Sequence, residues 1–256
     1  MELWTYEHVI TVLPGLAGMF LLAFVMRKFM KDKPYAVRMI PVSVIAALIL
    51  LLEVGKQGAS LWQGYDLYCL PFHFCSLFIF MLPLMAFYKG KGAKTVSVIT
   101  TALCVSVFLI MLIYPNLIYP PVSVQSYFQS YMSFHTVTFH LLVMLAAVLI
   151  LALGLYEPMG KHELKAVFWF IVVFCAVSAA MAHILKTNYA NFYVCNIPVL
   201  EQVRLAIEQA VGAVPAKLFY IVVVTAVNVV FVYGAQMLCR LIHKLMHKNP
   251  SPVSIK

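Results

Sequence analysis

The chain carries seven apolar runs, at about 8–27, 36–55, 69–88, 94–114, 133–156, 163–185 and 216–242. Each is close to the roughly 20 residues an α-helix needs to cross the hydrocarbon core of a bilayer. In lipid, every backbone amide must bond within its own helix or in a closed barrel. None of the runs shows the alternation of apolar and polar residues that barrel strands require. The expected fold is therefore all-α: a polytopic membrane helix bundle with seven transmembrane helices, forming one integral membrane domain over residues 1–256. Composition agrees, with 64% hydrophobic and 11% charged residues against about 45–50% and about 25% in soluble domains. No internal repeat or low-complexity segment interrupts the pattern. The opening residues MELWTYEH lack a basic cluster, and no small-residue cleavage site follows. The first run thus reads as a retained helix and not as a signal peptide.

The net charge of +9 is distributed by loop. Arg27, Lys28, Lys31, Lys33 and Arg38 lie between the first and second runs. Lys89, Lys91 and Lys94 lie between the third and fourth, and Lys161 and Lys165 between the fifth and sixth. Arg240, Lys244, Lys248 and Lys256 follow or end the seventh. The opposite side holds only Lys56, Lys186, Arg204 and Lys217. By the positive-inside rule the N-terminus is outside and the C-terminus cytoplasmic, in a multi-pass protein of the cell (plasma) membrane. The basic excess is then a topology signal with affinity for anionic lipid, not a nucleic-acid footprint. Trp4 and Trp62 read as interfacial anchors.

Polar residues collect toward the outer end. If the third run is helical from its start, Cys75 lies six residues below Cys69, roughly 9 Å at 1.5 Å per residue. His140 lies seven residues past Ser133, at nearly the same depth. Glu53 and His183 fall near the outer ends of the second and sixth runs, with Asn188 and Tyr189 just beyond the latter. Asn228 lies a little past halfway along the seventh. Ionisable groups inside a membrane segment are costly and mark function by default. Pro71 suits a first helical turn, which implies a helix already formed at His73. Residues i and i+2 of a helix point apart, so His73 and Cys75 are expected to face different surroundings. A base for Cys75 then comes from another span: His140, or alternatively His135 nearer the mouth. Glu53 reads either as a paired structural carboxylate or as a group orienting the site.

Three segments carry a family resemblance. LPFHFCS at 70–76 resembles the LPLHLCS signature of the YwaF-like integral membrane proteins, which are related to the eukaryotic transmembrane-protein-164 group. QSYMSFHTVTFHLLVM at 129–144 resembles a segment that usually reads like QSFLYHGLM, and HILKTNYANFYV at 183–194 resembles the N-x-x-x-G-T-N-Y-x-x-x segment at the end of the sixth span. Leu141 and Lys186 stand where that pattern has glycine, and His183 where it has asparagine. The eukaryotic group is described as a lipid acyltransferase whose cysteine carries the acyl chain with a histidine as partner. Its fold is similar to that of the androgen-induced membrane lipid hydrolases. The resemblance implies Cys75 as nucleophile and His140 as its partner, with Asn188 and Tyr189 in the T-N-Y motif.

The expected function is a cysteine- and histidine-dependent lipid acyltransferase or lipid ester hydrolase. It would act from the outer leaflet through a thioester, on membrane lipids, without a cofactor or metal. A thiol becomes a nucleophile when an imidazole takes its proton. Asn188, Tyr189 or Asn228 would donate to the oxyanion or headgroup, and His73 would orient the start of the third span. The competing readings are a small-solute transporter and a non-catalytic lipid- or metal-binding membrane protein. The latter would use Cys75, His140, His135 and His183, residue types that suit zinc, although these four contain no H-x-x-x-H or C-x-x-C pair. Cys104, Cys175 and Cys239 read as packing. Cys69 and Cys195 fall on the outer side, where a disulfide is permitted. The segment at about 198–213 reads as an amphipathic surface helix. Leu200, Val203, Ile207 and Val211 form its apolar stripe, and Glu201, Arg204 and Glu208 a polar stripe opposite.

Overall fold

The computed structural model describes residues 3–246. Lys248 and Lys256, which enter the charge count, and Met1 and Glu2 lie outside the described residues. The helices, in chain order, are α1 (Tyr6–Met30), α2 (Tyr35–Trp62), α3 (Phe78–Phe87), α4 (Ala93–Ile113) and α5 (Pro121–Gln125). They continue with α6 (Tyr131–Ala152), α7 (Lys161–Leu185), α8 (Pro198–Val211) and α9 (Ala213–Met246). No strand occurs among the described residues. Among the described residues six helices, α1, α2, α4, α6, α7 and α9, are long and apolar enough to cross a membrane.

The third predicted span is the exception. Only Phe74–Phe87 is helical there, and its first turn, Phe74–Leu77, is a 3-10 helix. Fourteen residues reach about 21 Å at 1.5 Å per residue, short of the roughly 30 Å core. The cause is Pro71. Proline drives the preceding residue out of the α region, and Leu70 indeed adopts φ −63°, ψ 148°. His73 is still extended, at φ −81°, ψ 151°. The expectation of a helix formed by His73 is thereby corrected, and the depth assigned to Cys75 from a helical rise goes with it.

α4 is the buried axis of the bundle, packed by α3, α6, α7 and α9. Apolar burial gives little drive between helices already in lipid, so close packing of small residues takes over. Ala102 and Ser106 on α4 and Ala146 and Ala147 on α6 are fully enclosed. The hydroxyls on this face are satisfied locally: Thr101 Oγ1 donates to Ser97 O (2.8 Å) and Ser106 Oγ to Ala102 O (2.7 Å). Successive long helices run antiparallel. At one end Arg27 Nη1 donates to Ala152 O (2.8 Å) and Arg38 Nη1 to Leu153 O, placing cations on the C-terminal carbonyls of α6, where the helix dipole favours them. At the other end Tyr131 Oη donates to Leu52 O (2.9 Å) and His8 Nε2 meets Tyr119 O (3.0 Å). All six cysteines are free, so Cys69 and Cys195 do not pair.

Candidate functional site

The short third helix is delivered by a loop tied to α2. Glu53 Oε1 binds Lys56 Nζ (2.8 Å) and accepts from Gln57 Nε2 (2.7 Å). Gln57 Nε2 also donates to Cys69 O (2.9 Å), and Gln57 Oε1 accepts from Tyr65 Oη (2.9 Å). Asp66 N donates to Ser60 Oγ (3.0 Å), while the Asp66 carboxylate caps Tyr68 N (2.9 Å). Tyr189, wholly buried, donates its hydroxyl to Leu67 O. His73 Nε2 bonds Tyr68 O (3.0 Å), and the His73 ring rests against Tyr68 and Tyr189. The extended stretch 70–73 is therefore held from both sides, and Cys75 follows on a fixed 3-10 turn.

The two histidines of α6 have different surroundings. His135 Nε2 lies 3.4 Å from Glu53 Oε2, an ion-pair distance without hydrogen-bond alignment. His140 Nδ1 bonds Thr136 O at 2.6 Å. A carbonyl only accepts, so Nδ1 carries the proton and Nε2 holds the lone pair.

Beyond α7 the chain enters an irregular segment. Lys186, at φ +52°, ends α7 in the left-handed conformation, and Ala190 (φ +47°) and Asn191 (φ +64°) also adopt it. Left-handed geometry costs roughly 1–2 kcal/mol per non-glycine residue. Side-chain ties offset that cost. Asn188 Oδ1 accepts from Tyr193 N and Val194 N (3.2 and 3.1 Å), Asn188 Nδ2 donates to Asn196 Oδ1 (3.1 Å), and Tyr220 Oη donates to Asn191 O (2.6 Å). α8 is clamped by Arg204, which makes two bonds to Glu201 and one to Glu208 between 2.6 and 2.9 Å. Glu201 Oε2 accepts from Cys195 N as well (2.9 Å). The Arg204 guanidinium, chiefly through its hydrogen bonds, holds the Glu201 carboxyl below the ordinary carboxylate range.

These elements enclose a cavity of about 590 Å³. Cys75, His140, His73, Asn188 and Asn228 line it. Glu53, His135, His183 and Tyr189 do not. His183 packs against Tyr193 instead. His73 and Cys75 sharing one cavity corrects the helical-wheel expectation, because extended His73 is not on a helix with Cys75. Asn228 lies eight residues below Tyr220 on α9, about 12 Å, and its Nδ2 bonds Val224 O (2.8 Å). Arg204 also lines the cavity, beside Leu200, Val203 and Ile207. A separate polar stripe was expected for it, but residues i and i+4 share a helix face, so Arg204 follows Leu200 inward. Sequence reasoning also passed over Tyr68, Asn191, Asn196 and Tyr220 and read Cys195 only as a disulfide candidate; all five are in the lining. The N-F-Y-V-C-N run after T-N-Y was the available signal for three of these. Among the described residues no three His, Cys, Asp or Glu side chains converge as a metal-ligand set.

Six membrane-length apolar helices among the described residues, of which α4, α6 and α9 line a polar-tipped cavity, define a multi-pass integral membrane protein. The chain belongs to the TMEM164 family, which it matches over residues 3–235. No curated protein and no solved structure matches it.

Proposed function

We propose that the protein is a lipid acyltransferase, or a lipid ester hydrolase, that works through a thioester on Cys75 with His140 as its proton carrier. One observation carries this reading. A thiol on the third helical segment and an imidazole on α6 line one cavity whose remaining walls are mostly apolar. Membership of the TMEM164 family is in keeping with an acyltransferase-related activity, and the LPFHFCS segment points within it to YwaF-like members.

The Cys75 thiol proton passes to His140 Nε2 while Sγ attacks the ester carbonyl carbon. The carbon–oxygen bond breaks and the leaving alcohol takes the proton from the imidazolium. An acceptor hydroxyl, or water, then gives its proton to Nε2 and attacks the thioester. The carbon–sulfur bond breaks and the thiolate regains the proton. The Thr136 carbonyl keeps His140 in the tautomer this sequence needs. Asn188 and the hydroxyl of Tyr68 supply polar donors at the same end of the cavity.

The positive-inside rule supports placing that end on the outer face of the plasma membrane. The described basic residues there are Lys56, Lys186, Arg204 and Lys217, and all other described lysines and arginines lie at the opposite end. The test is intact-mass measurement of the protein after incubation with phospholipid vesicles. A hydroxylamine-sensitive acyl adduct that maps to Cys75 and vanishes in Cys75→Ala is expected. An adduct that survives Cys75→Ala, or that maps to Cys195, overturns the assignment.

A further inference from the structure

The face that α9 turns to the cavity changes character along its length. Phe219, Val223, Val227 and Phe231 recur at helical spacing and line the cavity. One turn further, Ala235, Gln236 and Cys239 continue the same face but are fully buried. α4 shows the complementary change. Val107, Ile110 and Ile113 line the cavity, whereas Leu103 and Cys104 are enclosed. The space between α4 and α9 is therefore a groove with a closed floor at the level of Val107 and Phe231. The third wall is the apolar face of α8.

Apart from Asn228, the polar lining gathers at the opposite end. Tyr220 Oη donates to Asn191 O, which fixes the loop carrying Asn188 and Asn196 beside the first turns of α9. The His73 ring packs on Tyr189, the neighbour of Asn188, so the Cys75 turn belongs to this end too. From Ala216 at that end to Phe231 at the floor is fifteen residues, about 22 Å at 1.5 Å per residue. An extended chain advances about 1.2 Å per bond, as an extended backbone does. Such a groove accommodates one straight chain of roughly 18 carbons.

We infer that the α4–α8–α9 groove binds a single lipid acyl chain, tail toward Phe231, and that Phe231 sets its maximum length. The inference rests on the proposal that a lipid ester is the substrate, but it makes a separate claim about selection. Arg204, the one lysine or arginine in the lining, is paired with Glu201 and Glu208, and neither carboxylate lines the cavity, so the walls offer a chain no unopposed positive charge. Asn228 Nδ2 donates within its own helix, to Val224 O. A chain that ends before the floor leaves apolar wall uncovered, and each missing methylene forgoes its burial. One that exceeds the floor must bend or leave its carbonyl short of Cys75.

The test uses full-length Cys75→Ala protein in detergent, which cannot form a thioester. Monoalkyl glycerol ethers with chains of roughly 10 to 22 carbons, bracketing the groove length, displace a fluorescent polyene fatty acid. Affinity is expected to rise with chain length and to stop rising near 18 carbons. Phe231→Ala should move that break upward by about two to four carbons, the length of a phenyl ring at about 1.2 Å per bond. Val227→Phe should move it downward. Phe231→Leu, a milder change, should give a smaller upward shift and serves where Phe231→Ala does not fold. Affinity that climbs across the series without a break, or a break that none of the three substitutions moves, overturns the inference. A movable break in a protein whose wild type never acquires an adduct sinks the enzymatic proposal alone and leaves the groove as a lipid-binding site.

Discussion

His135 Nε2 sits 3.4 Å from Glu53 Oε2, and neither side chain reaches the cavity that Cys75 and His140 share. The two histidines of α6, five residues apart, thus have separable roles. His140→Ala should abolish acyl-adduct formation while leaving the fold close to wild type. His135→Ala should keep the adduct and lower stability. Lys56 and Gln57 still hold Glu53, so a loss of about 1–3 kcal/mol is expected, in the range for an unsatisfied buried group. Thermal unfolding and intact-mass labelling of both variants decide the matter. An adduct lost in His135→Ala but retained in His140→Ala would reverse the two roles.

Much of the bundle is legible in the apolar runs, because in lipid the length of an uncharged segment decides whether it can span. The third run misleads for a local reason. Its composition from 69 to 88 is as apolar as the others, but Pro71 keeps Leu70 extended, and hydropathy does not register backbone geometry. That one departure also moves His73 and Cys75 into the same cavity. Cys75 and His140 stand out by residue type. Arg204 and the loop residues Asn191 and Asn196 do not, since the loop depends on left-handed turns at Ala190 and Asn191. Alanine announces no such turn, and asparagine, which tolerates it, does so more weakly than glycine.

Gly55 on α2 faces Tyr131 on α6 so closely that a methyl group there collides with the tyrosine hydroxyl. The same hydroxyl donates to Leu52 O at 2.9 Å. Alanine gains up to about 1 kcal/mol of helix propensity over glycine. Overpacking costs about 1–3 kcal/mol, and losing the hydrogen bond costs about 1 kcal/mol more. The clash wins, and Gly55→Ala should destabilise by about 1–3 kcal/mol in thermal unfolding. Tyr131→Phe should soften the effect of Gly55→Ala in part, because it removes the nearest colliding atom while the ring carbon Cζ stays close; simple additivity of the two changes would count against this packing.

Lys186 closes α7 at φ +52°, at the position where the resembling segment carries glycine. Lys186→Gly should relieve about 1–2 kcal/mol of left-handed strain. It also removes a cation from a helix C-terminus, worth about 0.3–1 kcal/mol. The balance favours glycine by about 1 kcal/mol, read as a higher melting temperature. Lys186→Ala loses the charge without relieving the strain and should fall slightly below wild type.

Cys195 is partly accessible on the loop at the cavity end, whereas Cys69, Cys104, Cys175 and Cys239 are buried. In a variant with Cys75→Ala, a membrane-impermeant maleimide added to intact cells should label Cys195. Labelling that requires permeabilised cells would place the cavity on the cytoplasmic face and invert the orientation proposed from the basic residues.

α8 should be released by acid. Glu201 is held below its ordinary range chiefly by the hydrogen bonds from Arg204. A carboxylate with a depressed folded-state value stabilises above its unfolded value, and that contribution is lost as pH falls through the folded one. The clamp should therefore be fully formed at neutral pH and should weaken only below about pH 4, the unperturbed glutamate range. Hydrogen exchange across residues 198–211 is the measurement. Protection should stay level from neutral pH down to about 5 and fall below about 4. Glu201→Gln, which keeps the shape but removes the charge, should show the loosened pattern already at neutral pH. Glu208→Gln should have a smaller effect, since Glu208 makes one bond to Arg204 where Glu201 makes two. Protection that is unchanged in Glu201→Gln would mean that α8 is held by its apolar face against α9 and the cavity, with the ion triad contributing nothing measurable.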